Sequence, residues 1–95
     1  MSSTIERIRT VIQELLERRR PLETLCPSEV ARALAPQAWR PLMPQVRAVA
    51  VTMANEGRVE IRQGGRAVDP NGVLRGPIRI GRPASQGDDV RGTPG

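Results

Sequence analysis

The 95-residue chain predicts an α+β domain: a winged helix-turn-helix in which three helices are followed by a small antiparallel β-hairpin wing. Three observations carry this. Helix-period apolar residues recur from Ile5 to Leu16, and a short helical segment and a longer one follow, separated by the proline-bounded corner at Trp39. The period then switches to two in Val59-Glu60-Ile61-Arg62-Gln63. Finally, Gly64-Gly65 is a hairpin signal, and Ile78-Arg79-Ile80 supplies a returning strand of the same period. The expected layout is a flexible N-terminus at 1–4, the domain at 5–82 and a disordered tail rich in Pro, Gly, Ser and Asp at 83–95.

Ser3 and Glu6 have the spacing of a capping box, which sets the start of the first helix. Ile5, Ile8, Val11, Ile12, Leu15 and Leu16 make its apolar stripe. Arg18-Arg19-Arg20 falls where cations complement the helix dipole in a last turn, and Pro21 ends the helix. Residues 22–25 form an extended link, the place for a stub of strand that pairs with the later hairpin. Pro27 suits the first position of a second helix running to Leu34, with Val30, Ala31 and Leu34 inward, Arg32 facing solvent and Pro36 as the stop. Cys26 reads as a cap or core residue. Trp39, the only aromatic residue, is expected to plug the junction of the three helices.

The third helix begins near Pro41 to Pro44 and ends at Glu56, with Gly57 terminating it. Leu42, Val46, Val49, Ala50 and Met53 share its inner face; Pro44, Ala48, Val51 and Asn55 lie opposite, flanked by Arg47, Gln45 and Thr52. In the hairpin, Val59, Ile61, Ile78 and Ile80 face inward while Arg62 and Arg79 face out. Asp69-Pro70-Asn71-Gly72 marks a further turn inside a long wing, with Ala67-Val68 pairing briefly.

Composition narrows the chemistry. A chain this short builds one small core. One cysteine and no histidine leave no disulfide, no His/Cys metal site and no imidazole base, so no metal, cofactor or small-molecule substrate is expected. A reducing cytoplasm is the expected setting. No apolar run is long enough to span a bilayer, and MSSTIERIR lacks the apolar region of a signal peptide. The net charge of +5 comes from fifteen basic residues, all of them arginine. Residues 58–82 hold six arginines against two acids, so the excess gathers on the wing.

CPSEVARAL, WRPLM, VRAVA, EGRVEI, QGG, VDP and GPIRI, in that order and spacing, resemble a small bacterial family known as domain of unknown function 3253. The resemblance spans residues 5–82. It implies a winged-helix-like domain without an assigned activity and brings no catalytic residues.

Two functional readings stand. In the first, the domain binds DNA mainly through its backbone, using Arg40, Gln45 and Arg47 around helix three and Arg62, Arg66, Arg75 and Arg79 on the hairpin. Gln45 and Arg47 are its only good base readers. In the second, Pro44, Ala48 and Val51 dock a protein partner or another copy of the chain, because the centre of the outward face is apolar. An enzyme is not expected: Glu29 near Arg32, and Asp69, are better explained by helix-end electrostatics and a turn.

Overall fold

Ser3 caps the first helix as its spacing predicts. Its hydroxyl accepts from the Glu6 amide at 3.0 Å, and the Glu6 carboxylate accepts from the Ser3 amide at 3.4 Å. The computed structural model describes residues 3–83. Its elements are α1 (Thr4–Glu17), α2 (Pro27–Leu34), a 3-10 turn (Arg40–Leu42), α3 (Met43–Asn55), β1 (Glu60–Gln63), β2 (Arg66–Ala67) and β3 (Arg79–Gly81). Ser3 and Thr4 thus belong to a capped helix rather than to a flexible N-terminus, while the tail expected at 83–95 lies, beyond Pro83, outside the described residues.

Ile8, Ile12 and Leu16 are buried on one side of α1. The stripe is narrower than its sequence suggests: Val11 and Leu15 are half-buried, and Ile5 is 50% exposed. The helix also ends earlier than Pro21. Arg18 is its C-cap, and the last turn contains no basic residue. The cation that covers its final carbonyls comes instead from Arg82, whose Nη2 donates to Leu16 O at 2.9 Å and to Arg19 O at 3.3 Å. Arg19 is drawn away to an ion pair with Glu29.

Pro27 opens α2 where no intrahelical amide is needed, and the Cys26 amide donates to the Glu29 carboxylate at 2.9 Å. Val30 and Ala31 are buried, Leu34 is half-buried, and the helix stops at Ala35, whose conformation the following proline restricts. The 3-10 turn and Pro44 lead into α3, which buries Val46, Val49, Ala50 and Met53, with Leu42 packed at its edge. Gly57, at φ 80°, takes the left-handed position that ends it.

The sheet has the order β2-β1-β3 and is antiparallel throughout. Gly64 and Gly65 both have positive φ, 57° and 78°, as a tight primed hairpin turn demands. Pairing at β2 begins at Arg66, one residue before the expected Ala67-Val68, and the Val68 amide still donates to Ile61 O at 2.9 Å. β3 pairs with β1 in the register Ile61↔Ile80 and Arg62↔Arg79. On its other edge Ile80 exchanges two backbone hydrogen bonds with Leu25, at 2.7 and 2.8 Å, so the link between α1 and α2 does form a stub of strand. Val59, Ile61, Ile78 and Ile80 turn inward and complete the core with the three helices.

No helix among the described residues is long and apolar enough to cross a membrane.

A bidentate pair joins α1 to the end of α3: Arg9 donates to Glu56 Oε1 at 2.7 Å and to Oε2 at 3.2 Å. Hydrogen bonding from Arg9 holds the Glu56 carboxyl below its ordinary range, with Arg58 adding attraction. A carboxyl lowered by folding contributes stability above its unfolded pKa and loses it as pH falls through the folded value. Thermal melts of Glu56→Gln should therefore lie below wild type at neutral pH, and the two should converge in acid once wild-type Glu56 is protonated. For the core, Ile80→Ala should cost about 2–5 kcal/mol in urea denaturation.

Candidate nucleic-acid interface

The connection between β2 and β3 does not project freely as a wing. It runs along the outward side of α3 and is tied there at two heights. Arg47, Val51 and Asn55 are spaced by four, so they form one row on the helix. Near the end of that row, Asn55 and Asn71 exchange amide hydrogen bonds at 3.0 and 2.7 Å, while Asn55 also donates to Val51 O. Asp69 organises the turn below, accepting from the Asn71 amide on its side chain and from the Gly72 amide on its carbonyl.

Nearer the start of the row, Arg47 donates through its two Nη atoms to Leu74 O and Gly76 O, both at 3.1 Å. From the sheet side, Gln63 Nε2 donates to Arg75 O at 2.8 Å and to Pro77 O at 3.2 Å. Four consecutive carbonyls of an extended strap are thus satisfied alternately by a helix side chain and a strand side chain. Such backbone acceptors need partners wherever the chain lacks a ladder. Leu74 and Val68 pack against the core and seat the strap.

This arrangement sorts the candidate residues. Arg47, expected to read bases, is hydrogen-bonded to the strap. Val51, expected on an open docking face, is half-buried in the row that the strap crosses, whereas Pro44 and Ala48 are exposed and Gln45 is half-buried. Arg62 and Arg79 stand opposite each other in the register, where like charges repel. Their guanidiniums diverge: Arg62 pairs with Glu60 and donates to Gly65 O at 2.6 Å, whereas Arg79 reaches the other way to Thr24 Oγ1 at 2.9 Å and Thr24 O at 3.1 Å. Arg40, Arg66 and Arg75 are exposed and make no ion pair or side-chain hydrogen bond among the described residues.

Only the Glu60 contact neutralises charge. Arg47 and Arg79 bond to carbonyls and a hydroxyl, so both keep their full positive charge beside Arg66 and Arg75. Around the strap the guanidiniums of Arg47, Arg66, Arg75 and Arg79 thus outnumber the one carboxylate that the strap carries, Asp69.

Trp39 differs from expectation. It is half-buried and packs on the core's margin rather than plugging it. The guanidinium carbons of Arg32 and Arg40 lie 4.3 and 4.6 Å from the centre of its ring. Proline at 41 and the 3-10 turn keep the tryptophan at the rim, where two long cationic side chains cover it.

Gln63 and Arg32 are the residues that sequence reasoning missed. Gln63 closes a period-two strand and so resembles any polar end residue; Arg32 is exposed, as expected, and what the sequence does not announce is that its side chain also lies over Trp39, seven positions along the chain. Two open clefts lie among the described residues. One, of about 220 Å³, is bordered by Ala54, Val59, Ile61 and Val68; the other, of about 350 Å³, by Glu6, Arg9, Gln13 and Arg58. Among the described residues, no three His, Cys, Asp or Glu side chains gather as metal ligands would.

Removing the clamp tests its role. Arg47→Ala should speed tryptic cleavage after Arg75 several-fold while the far-ultraviolet spectrum stays native, and Arg47→Lys should restore little, because an ammonium lacks the planar fork.

No curated protein matches this chain. The family described as "Protein of unknown function (DUF3253)" matches residues 5–83, a span from the first turn of α1 through β3, and the chain belongs to that family.

Proposed function

We propose that this is a non-enzymatic DNA-binding domain of winged-helix type that holds the phosphate backbone more than it reads bases. The observation that carries the reading is the set of uncommitted guanidiniums. Arg66 on β2, Arg75 on the strap and Arg40 ahead of α3 are exposed and have no carboxylate partner among the described residues. Arginine in this state offers five donors to phosphate oxygens, and such contacts fix position without specifying sequence. Arg47 and Arg79 add long-range attraction. With Arg47 engaged by the strap, Gln45 is the remaining side chain suited to a base edge, so discrimination between duplexes should be weak. One unpaired cysteine, Cys26, is in keeping with a reducing cytoplasm.

A second reading, docking of a protein or of another copy of the chain, draws on the exposed Pro44 and Ala48 of α3. It is the weaker one, since the half-buried Val51 shortens that face. The large apolar side chains most open to solvent, Leu22 and Val73, lie outside it.

Fluorescence anisotropy with labelled duplex across a salt series tests the first reading. Affinity should fall with salt with a slope near −2.7 in log K against log salt, about 0.9 for each of three phosphate contacts. Arg66→Ala with Arg75→Ala should flatten it by roughly 1.8. Absence of binding at low salt would overturn it, and concentration-dependent dimers in sedimentation that Ala48→Asp abolishes would favour the second.

A further inference from the structure

We propose that Arg32, Arg40 and Trp39 form a second phosphate-binding site, at the corner between α2 and α3 and apart from the strap. Two cations converge on one ring there, at 4.3 and 4.6 Å from its centre, so they are no further apart than those distances together allow. Neither guanidinium is ion-paired or hydrogen-bonded to another side chain or carbonyl among the described residues. Six carboxylates among the described residues are engaged elsewhere: Glu29 with Arg19, Glu56 with Arg9 and Arg58, Glu60 with Arg62, Glu23 with the Arg20 amide, Glu6 with the Ser3 amide and Asp69 with the Asn71 amide.

Helix-end electrostatics explains part of this. Arg32 lies in the last turn of α2, where a cation complements the dipole. That accounts for one guanidinium and not for Arg40, which begins the next element and comes to the same ring. The ring attracts both through its face, and this contact uses none of their donors on an acceptor. The result is a pair of forks whose positions are set by a half-buried indole and whose charge is unanswered. Successive phosphoryl groups, as in a polyphosphate or consecutive phosphodiesters, match two forks set around one ring. The ring itself, occupied by cations, is not a platform for base stacking.

The shared ligand chemistry is phosphate, from a nucleic-acid backbone or from a free polyphosphate. Only the first source rests on the DNA reading. It would extend the footprint from the strap to the corner and give the domain two separated grips.

Trp39 is the only tryptophan and there is no tyrosine, so intrinsic emission reports on this corner. Emission would be followed while duplex or inorganic tripolyphosphate is added to wild type and to Arg32→Gln/Arg40→Gln, with circular dichroism checking the fold and Arg32→Lys/Arg40→Lys keeping the charge. Wild-type emission should change with both ligands. The double Gln variant should lose the tripolyphosphate response, bind duplex roughly tenfold more weakly and show a salt slope flatter by about 1.8, because Arg32 adds a fourth phosphate contact to those of Arg40, Arg66 and Arg75, with the Lys variant intermediate. Duplex binding that depends on Arg66 and Arg75, with emission and the double variant's affinity unchanged, would overturn the corner site and take Arg40 out of the footprint, while DNA binding through Arg66 and Arg75 would stand. A tripolyphosphate response that needs Arg32 and Arg40, without duplex binding, would keep the site and remove DNA as its source. Emission silent to both ligands would overturn the site.

Discussion

The placement of β3 is the constraint on which the remainder depends. Ile80 is bonded through its backbone to Leu25 on one edge and stands in register with Ile61 on the other, so a three-residue strand joins the link after α1 to the strand after α3. Because side chains alternate along a strand, a slip of one residue would turn Ile78 and Ile80 to solvent and Arg79 into the core. The two edges fix the register together. They thereby determine which arginines face outward and where the strap must start and finish.

With both ends of the strap set, its course over α3 follows from hydrogen-bond accounting. An extended segment without a neighbouring strand leaves carbonyls to be satisfied, and Arg47 and Gln63 meet them from opposite sides. Both Nη atoms of Arg47 are engaged in the process. Around α3 and the sheet, that accounting does not involve Arg66, Arg75 or the pair at Trp39. Holding the strap in advance also lowers the ordering cost of any contact it makes.

Much of this was legible in the residues. Capping chemistry located the start of α1, proline and glycine punctuation bounded α2 and α3, and the period-two runs gave β1 and β3 with the correct inward residues. The stub at Leu25 followed from the element order. The misplacements share a cause. Arg18 to Arg20 were assigned to the end of α1 because local sequence favours it, yet the contact comes from Arg82, far along the chain. Arg47 and Val51 were assigned to an open face because helical projection knows nothing of a loop folding back. Trp39 was placed in the centre on size alone, while the 3-10 turn leaves it at the margin. Periodicity reports one element at a time, and long-range polar contacts leave no periodic trace.

Arg82 has a consequence for how the domain comes to be. Its guanidinium closes a helix that ended at Glu17, and the hydrogen bond it makes to Leu16 spans 66 positions. A chain emerging from the ribosome can wind α1 early but cannot finish its end, or pair Leu25, until nearly the last described residue is made. The contacts at Leu16 and Leu25 thus tie the first helix to the last strand, and the start of the domain is completed by its end.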